Sequence, residues 1–170
     1  WGDANVAVGY RALKVNTASV NVAVGKEALL SNTTGQNNVA IGAQALEANT
    51  TASYNTGVGY YTLGATTTTQ YNTALGYQAL KANTENNNTA VGYNALVANT
   101  TGSYNSALGS AALDALTVGW GNVAVGYAAL SAETTGDKNT AIGMDALKTQ
   151  DGADYNTAVG FEAGEANTTG

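Results

Sequence analysis

Asn21-Val22-Ala23-Val24-Gly25 is followed seventeen residues later by Asn38-Val39-Ala40-Ile41-Gly42, and again by Asn55-Thr56-Gly57-Val58-Gly59. The same core opens ten units, at Asn5, Asn21, Asn38, Asn55, Asn72, Asn88, Asn105, Asn122, Asn139 and Asn156. It closes on Gly9, Gly25, Gly42, Gly59, Gly76, Gly92, Gly109, Gly126, Gly143 and Gly160. The spacing is 17 residues, except after Asn5 and Asn72, where it is 16. A fixed period this short describes one supersecondary unit stacked on itself rather than a globule around one pocket. Residues 1–170 therefore read as a single repeat array.

Within the unit, counted from its Asn, position 3 is Ala except at Gly57, and position 4 is always Val, Ile or Leu. Val, Ile and Thr at positions 2 and 4 are stiff at the β-carbon and favour a strand. Side chains alternate across a strand. The aliphatic at position 4 is the expected interior residue, which leaves Ala at 3 and Gly at 5 as a small-residue face open to another chain. The Gly also suits a φ that a side chain would resist. The second arm, as in Gln78-Ala79-Leu80-Lys81-Ala82-Asn83, permits one helical turn or a short strand after a corner; the strand, bent at Gly, is the expectation. The remainder, as in Asn99-Thr100-Thr101-Gly102-Ser103, is turn chemistry. Both one-residue deletions fall there, so strand register is kept.

A unit of this length cannot bury its own apolar face. Stacked units can, because parallel strands pair above and below at about 4.8 Å per step. The fold class is thus all-β, a parallel β-solenoid of ten coils of roughly 17 residues. Stacking turns identical residues into columns. Leu13 to Leu147 form an apolar column, and Asn5 to Asn156 an amide column that donates and accepts along the axis. Tyr10, Tyr60, Tyr77, Tyr93 and Tyr127 share position 6, where rings cover corners or offer surface contact.

Composition narrows function. Acidic residues outnumber basic ones 12 to 6, a net charge of -6 that disfavours nucleic acid as a partner. The absence of His and Cys removes imidazole bases and thiolate nucleophiles. The acids occupy scattered repeat positions and build no metal or paired-carboxylate constellation. Asp151-Gly152-Ala153-Asp154 reads as a solvated turn. The expectation is no enzyme, no cofactor and no metal. No apolar run is long enough to cross a bilayer, so no membrane contact is expected within the segment. The chain begins at Trp1 and ends within a repeat, at Thr168-Thr169-Gly170, which reads as a piece of a longer protein.

The strings Asn21-Val22-Ala23-Val24-Gly25, Asn139-Thr140-Ala141-Ile142-Gly143 and Asn156-Thr157-Ala158-Val159-Gly160 resemble the head repeats of trimeric autotransporter adhesins of the YadA-like type. The longer Asn88-Thr89-Ala90-Val91-Gly92-Tyr93-Asn94-Ala95-Leu96 is similar to repeats of bacteriophage tail-fibre proteins. The resemblance spans all ten units. It implies a left-handed β-roll, a homotrimer, and an extracellular, cell-surface or virion-surface location. It also implies attachment to a host surface or extracellular matrix. The period is a few residues longer than that of the usual adhesin head, and the Ala-Leu-x-Ala-Asn-Thr arm replaces a plainer one. The function expected is a structural and adhesive fibre segment. The alternatives are a self-polymerising filament subunit, or an ice- or crystal-binding solenoid carried by the Thr column from Thr17 to Thr134.

Overall fold

The computed structural model describes residues 2–168. Trp1, Thr169 and Gly170, on which the reading of a fragment leans, lie outside the described residues. Ten three-residue strands follow one another: β1 (Val6–Val8), β2 (Val22–Val24), β3 (Val39–Ile41), β4 (Thr56–Val58), β5 (Thr73–Leu75), β6 (Thr89–Val91), β7 (Ser106–Leu108), β8 (Val123–Val125), β9 (Thr140–Ile142) and β10 (Thr157–Val159). They form one parallel sheet in sequence order, each strand between its neighbours in the chain. Register never slips: Val22 pairs with Val39, Val39 with Thr56, and Thr73 with Thr89 across a 16-residue coil. The molecule is a parallel β-solenoid of stacked coils, all-β and without a helix among the described residues.

The strand faces are the reverse of the sequence expectation. Ala at position 3, not the aliphatic at 4, points inward; Ala23, Ala40, Ala74, Ala90, Ala124 and Ala141 are fully buried. None of the ten position-4 residues is buried, and Val8, Leu75 and Leu108 are 57%, 46% and 52% exposed. The reason is the narrowness of the coil. Leu13, Leu29, Leu46, Leu63, Leu80, Leu96, Leu113 and Leu130 reach in from the second arm and fill the interior completely. Only a methyl fits between that column and the strand. Toward that column a methyl built on Gly57 would stand 3.6 Å from Leu46 Cδ1, an ordinary packing distance, although Thr62 Oγ1 of its own coil would crowd it at 2.8 Å. Position 3 is therefore core, Gly at position 5 is at most half-buried, and the open face of the sheet carries positions 2 and 4.

The second arm is neither strand nor helix. Its residues at positions 7 and 9 are left-handed: Gln78 has φ 55° and Leu80 52°, and all nine Leu of the column lie between 49° and 53°. A left-handed non-Gly residue costs roughly 1–2 kcal/mol. Burying a Leu side chain returns about 1.5–3 kcal/mol, which offsets the cost at position 9; the residue at position 7 is held by its axial main-chain pairing. The conformation also aims peptide groups along the axis. Leu80 N–H donates to the Ala95 carbonyl of the next coil at 3.1 Å, and Gln78 N–H to the Tyr60 carbonyl of the coil before at 2.9 Å. The turns thus stack by main-chain pairing as the strands do, which satisfies a buried backbone without a second sheet.

Candidate functional site: the axial ladders and the open strand face

Three sets of ordered side chains run the length of the solenoid. The first is the amide column at position 1. Asn21 N–H donates to Asn5 Oδ1 at 2.8 Å, Asn38 N–H to Asn21 Oδ1 at 3.0 Å, and Asn88 N–H to Asn72 Oδ1 at 3.0 Å. The pattern continues to Asn156, whose N–H meets Asn139 Oδ1 at 2.9 Å. The Nδ2 group turns the other way and closes its own coil. Asn21 Nδ2 donates to the Gly35 carbonyl, Asn38 Nδ2 to Ala52 and Asn105 Nδ2 to Gly119, each at 2.8 Å. One side chain therefore fixes both the stacking and the girth of the coil.

The second column escaped the sequence reading, although its signal was present. Position 12 is Asn at Asn16, Asn32, Asn49, Asn83, Asn99 and Asn167. Asn32 Nδ2 donates to Asn16 Oδ1, and Asn49 Nδ2 to Asn32 Oδ1, both at 2.7 Å. The column breaks where Thr66 and Leu116 stand in it, and there the preceding oxygens, Asn49 Oδ1 and Asn99 Oδ1, are buried without a partner. Glu133 occupies the same column, fully buried. Its Oε1 accepts from the N–H groups of Thr135 (3.1 Å), Gly136 (2.5 Å) and Gly152 (2.8 Å), and its Oε2 from Gln150 Nε2 (3.2 Å). This carboxylate staples two turns and faces no cleft. The Thr column is likewise engaged: Thr50 Oγ1 donates to the Thr67 carbonyl at 3.0 Å and Thr100 Oγ1 to the Thr117 carbonyl at 2.9 Å.

The Gly column holds position 5 at φ 129–145° in all ten coils. A β-carbon on Gly25 would stand 2.5 Å from the Gly42 carbonyl oxygen of the next coil. Sterics within the residue and between coils both select Gly.

The third set is the outward one, positions 2, 4 and 6. Tyr60, Tyr77 and Tyr93 stack face to face with ring centroids 5.4 and 5.3 Å apart, and Tyr54 and Tyr71 do the same on the other border at 5.4 Å. Tyr10 and Tyr127 are exposed outside that run; Arg11 lies 5.0 Å from the Tyr10 ring centroid. Stacked rings cover one another's faces and present edges and hydroxyls to water.

Comparison with protein-family models, with curated proteins and with solved structures found no match. The ladders and the open face are therefore what the functional reading rests on. Among the described residues no pocket opens, and no group of three or more acidic side chains converges to hold a metal ion. Asp151 and Asp154 instead serve the turns, their Oδ1 atoms accepting from Thr134 N–H at 3.1 Å and Asp137 N–H at 2.7 Å. Two ionisable groups are displaced from their ordinary range. Burial pushes the Asp114 carboxyl up, against the pull of nearby backbone N–H groups. A hydrogen bond from Lys148 to Asp145 holds the ammonium up. Both sit on the second arm and belong to different coils.

Proposed function

We propose that this array is a structural, attachment-bearing segment of an extracellular fibre, as in a surface adhesin or a phage tail fibre. The observation that carries the reading is the unbroken register of ten coils, reinforced at every step by the position-1 amides. Such a chain lengthens by one coil at about 4.8 Å per repeat without any new packing problem to solve. Ten coils make a rod on the order of 45 Å. Dense axial hydrogen bonding leaves few peptide groups for a protease to reach, which suits an exposed fibre. The Thr column supports an ice- or crystal-binding role less well, because its hydroxyl protons are already given to neighbouring carbonyls.

The test is to delete residues 38–71, two whole coils, from the protein. Small-angle scattering should report a rod shorter by about 10 Å with the fold intact. Deleting the whole array should reduce attachment of the parent particle or cell to its host surface or matrix. Unchanged attachment after that deletion, with export and anchoring intact, would refute the reading.

A further inference from the structure

The sheet has one face turned to the Leu column and one turned to solvent. The solvent face consists of two continuous rows. Position 4 is Val, Leu or Ile in every coil, and position 2 is Val in four coils and Thr or Ser in six. Position 6 borders these rows with Tyr in half the coils. Charge is distributed in a telling way: across all thirty residues at positions 2, 4 and 6 there is one ionisable group of fixed charge, Lys26, and none of the 12 acids. Every acid in a chain of net charge -6 lies on the second arm or the turns.

We infer that this face is an interface between two copies of the chain, packed sheet on sheet through positions 2 and 4. The occupant follows from three considerations. All 12 acids lie off this face, so two acidic copies meet along it without opposing carboxylates. All strands from β2 to β9 already have both neighbours, so their main chains ask nothing of a partner, and the Thr and Ser hydroxyls at position 2 pair with one another or keep water. What the face lacks is apolar cover. A second sheet at about 10 Å, offering the same β-branched rows, supplies it. Size also fits. A strip about 45 Å long and about 13 Å wide covers roughly 600 Å² in projection, near the ~800 Å² per partner of a standard interface and at the upper limit for patches on monomers. A face closed by one facing sheet takes a pair, with a two-fold axis through its centre. In either two-fold arrangement β5 and β6 are central, with Leu75 and Val91 in the middle of the contact. The pairing rests on the lateral face alone and departs from the homotrimer that the adhesin resemblance implies, so the measured mass decides between them.

Sedimentation equilibrium of the 170-residue chain over about 1–100 µM should give twice the 17.1 kDa chain mass. Leu75→Asp with Val91→Asp places charge at the centre of an exposed face. It should raise the dissociation constant at least tenfold while leaving the circular dichroism spectrum unchanged. Thr51→Asp with Thr101→Asp, on the turn side, should leave the mass alone. The chain has no cysteine, so a second readout is clean: with a bis-maleimide reagent long enough to bridge the ~10 Å between facing sheets, Thr73→Cys should give a covalent dimer and Thr101→Cys should not. That readout decides the matter if the double Asp variant fails to fold. A wild-type monomer at the highest concentration overturns the inference. So does a trimer or open-ended growth, a double Asp variant that folds and keeps the wild-type mass, or equal cross-linking at the two cysteines.

Discussion

The single residue in this solenoid is judged by what its counterpart in the next coil requires. Gly25 is the clearest case, since a β-carbon there would press on the Gly42 carbonyl while forcing φ to 136° on an L side chain. Gly25→Ala should lower stability by about 2 kcal/mol or more, read as a lower urea midpoint at unchanged slope. The position-12 column yields the opposite sign. Thr66 leaves Asn49 Oδ1 buried and unpaired, while its own hydroxyl donates to the Asn83 carbonyl at 3.1 Å. Thr66→Asn restores the amide step and should raise stability by about 1 kcal/mol in the same measurement. Both variants act through a hydrogen-bonding or steric partner about 17 residues away, which no local propensity describes.

At the scale of the coil, inner positions trade volume with one another. The coil that has Gly at position 3, Gly57, is also the one with Thr at position 8, Thr62. A β-carbon on Gly57 would stand 2.8 Å from Thr62 Oγ1. Gly57→Ala alone should cost about 1–3 kcal/mol through overpacking. Thr62→Ala alone should cost less. The double variant, which restores the pair found in the other coils, should recover most of the loss, so the double-mutant cycle should show coupling of at least about 1 kcal/mol. Additive losses would mean the two sites relax independently. The co-occurrence was visible in the sequence, but its meaning required knowing that positions 3 and 8 face each other across the interior. The inward direction of position 3 was misjudged for the same reason. Alternation divides a strand into two faces, and hydrophobicity chose position 4 because a wide core was assumed. The second arm was misjudged because propensity favours helix or strand for Gln-Ala-Leu-Lys, whereas burial of Leu80 and axial pairing of its N–H hold it left-handed.

Across the whole molecule, contacts join each coil to its immediate neighbours, as the sheet order requires. Stability is then close to a sum of coil and interface terms. In the isolated 170-residue chain, hydrogen exchange should show graded protection. Amides of β5 and β6 should exchange slowest, and those of β1 and β10 orders of magnitude faster. Uniform protection along the chain would show that all ten coils open as one unit. The open lateral face is also a property of this scale. It exists because the Leu column has claimed the inner side of every strand, leaving the β-branched rows outside.

The sequence by itself determined the repeat, the strand at its head, the parallel in-register stack and the Leu column, because a period is preserved whatever path each unit follows through space. Tertiary structure alone decided which strand face is buried, the left-handed course of the second arm and the second amide column. Those depend on the girth of the coil. Girth is set by how far Leu side chains reach from one arm toward the other and by where an Asn amide closes the loop, distances between residues far apart in the chain that no pattern along it encodes.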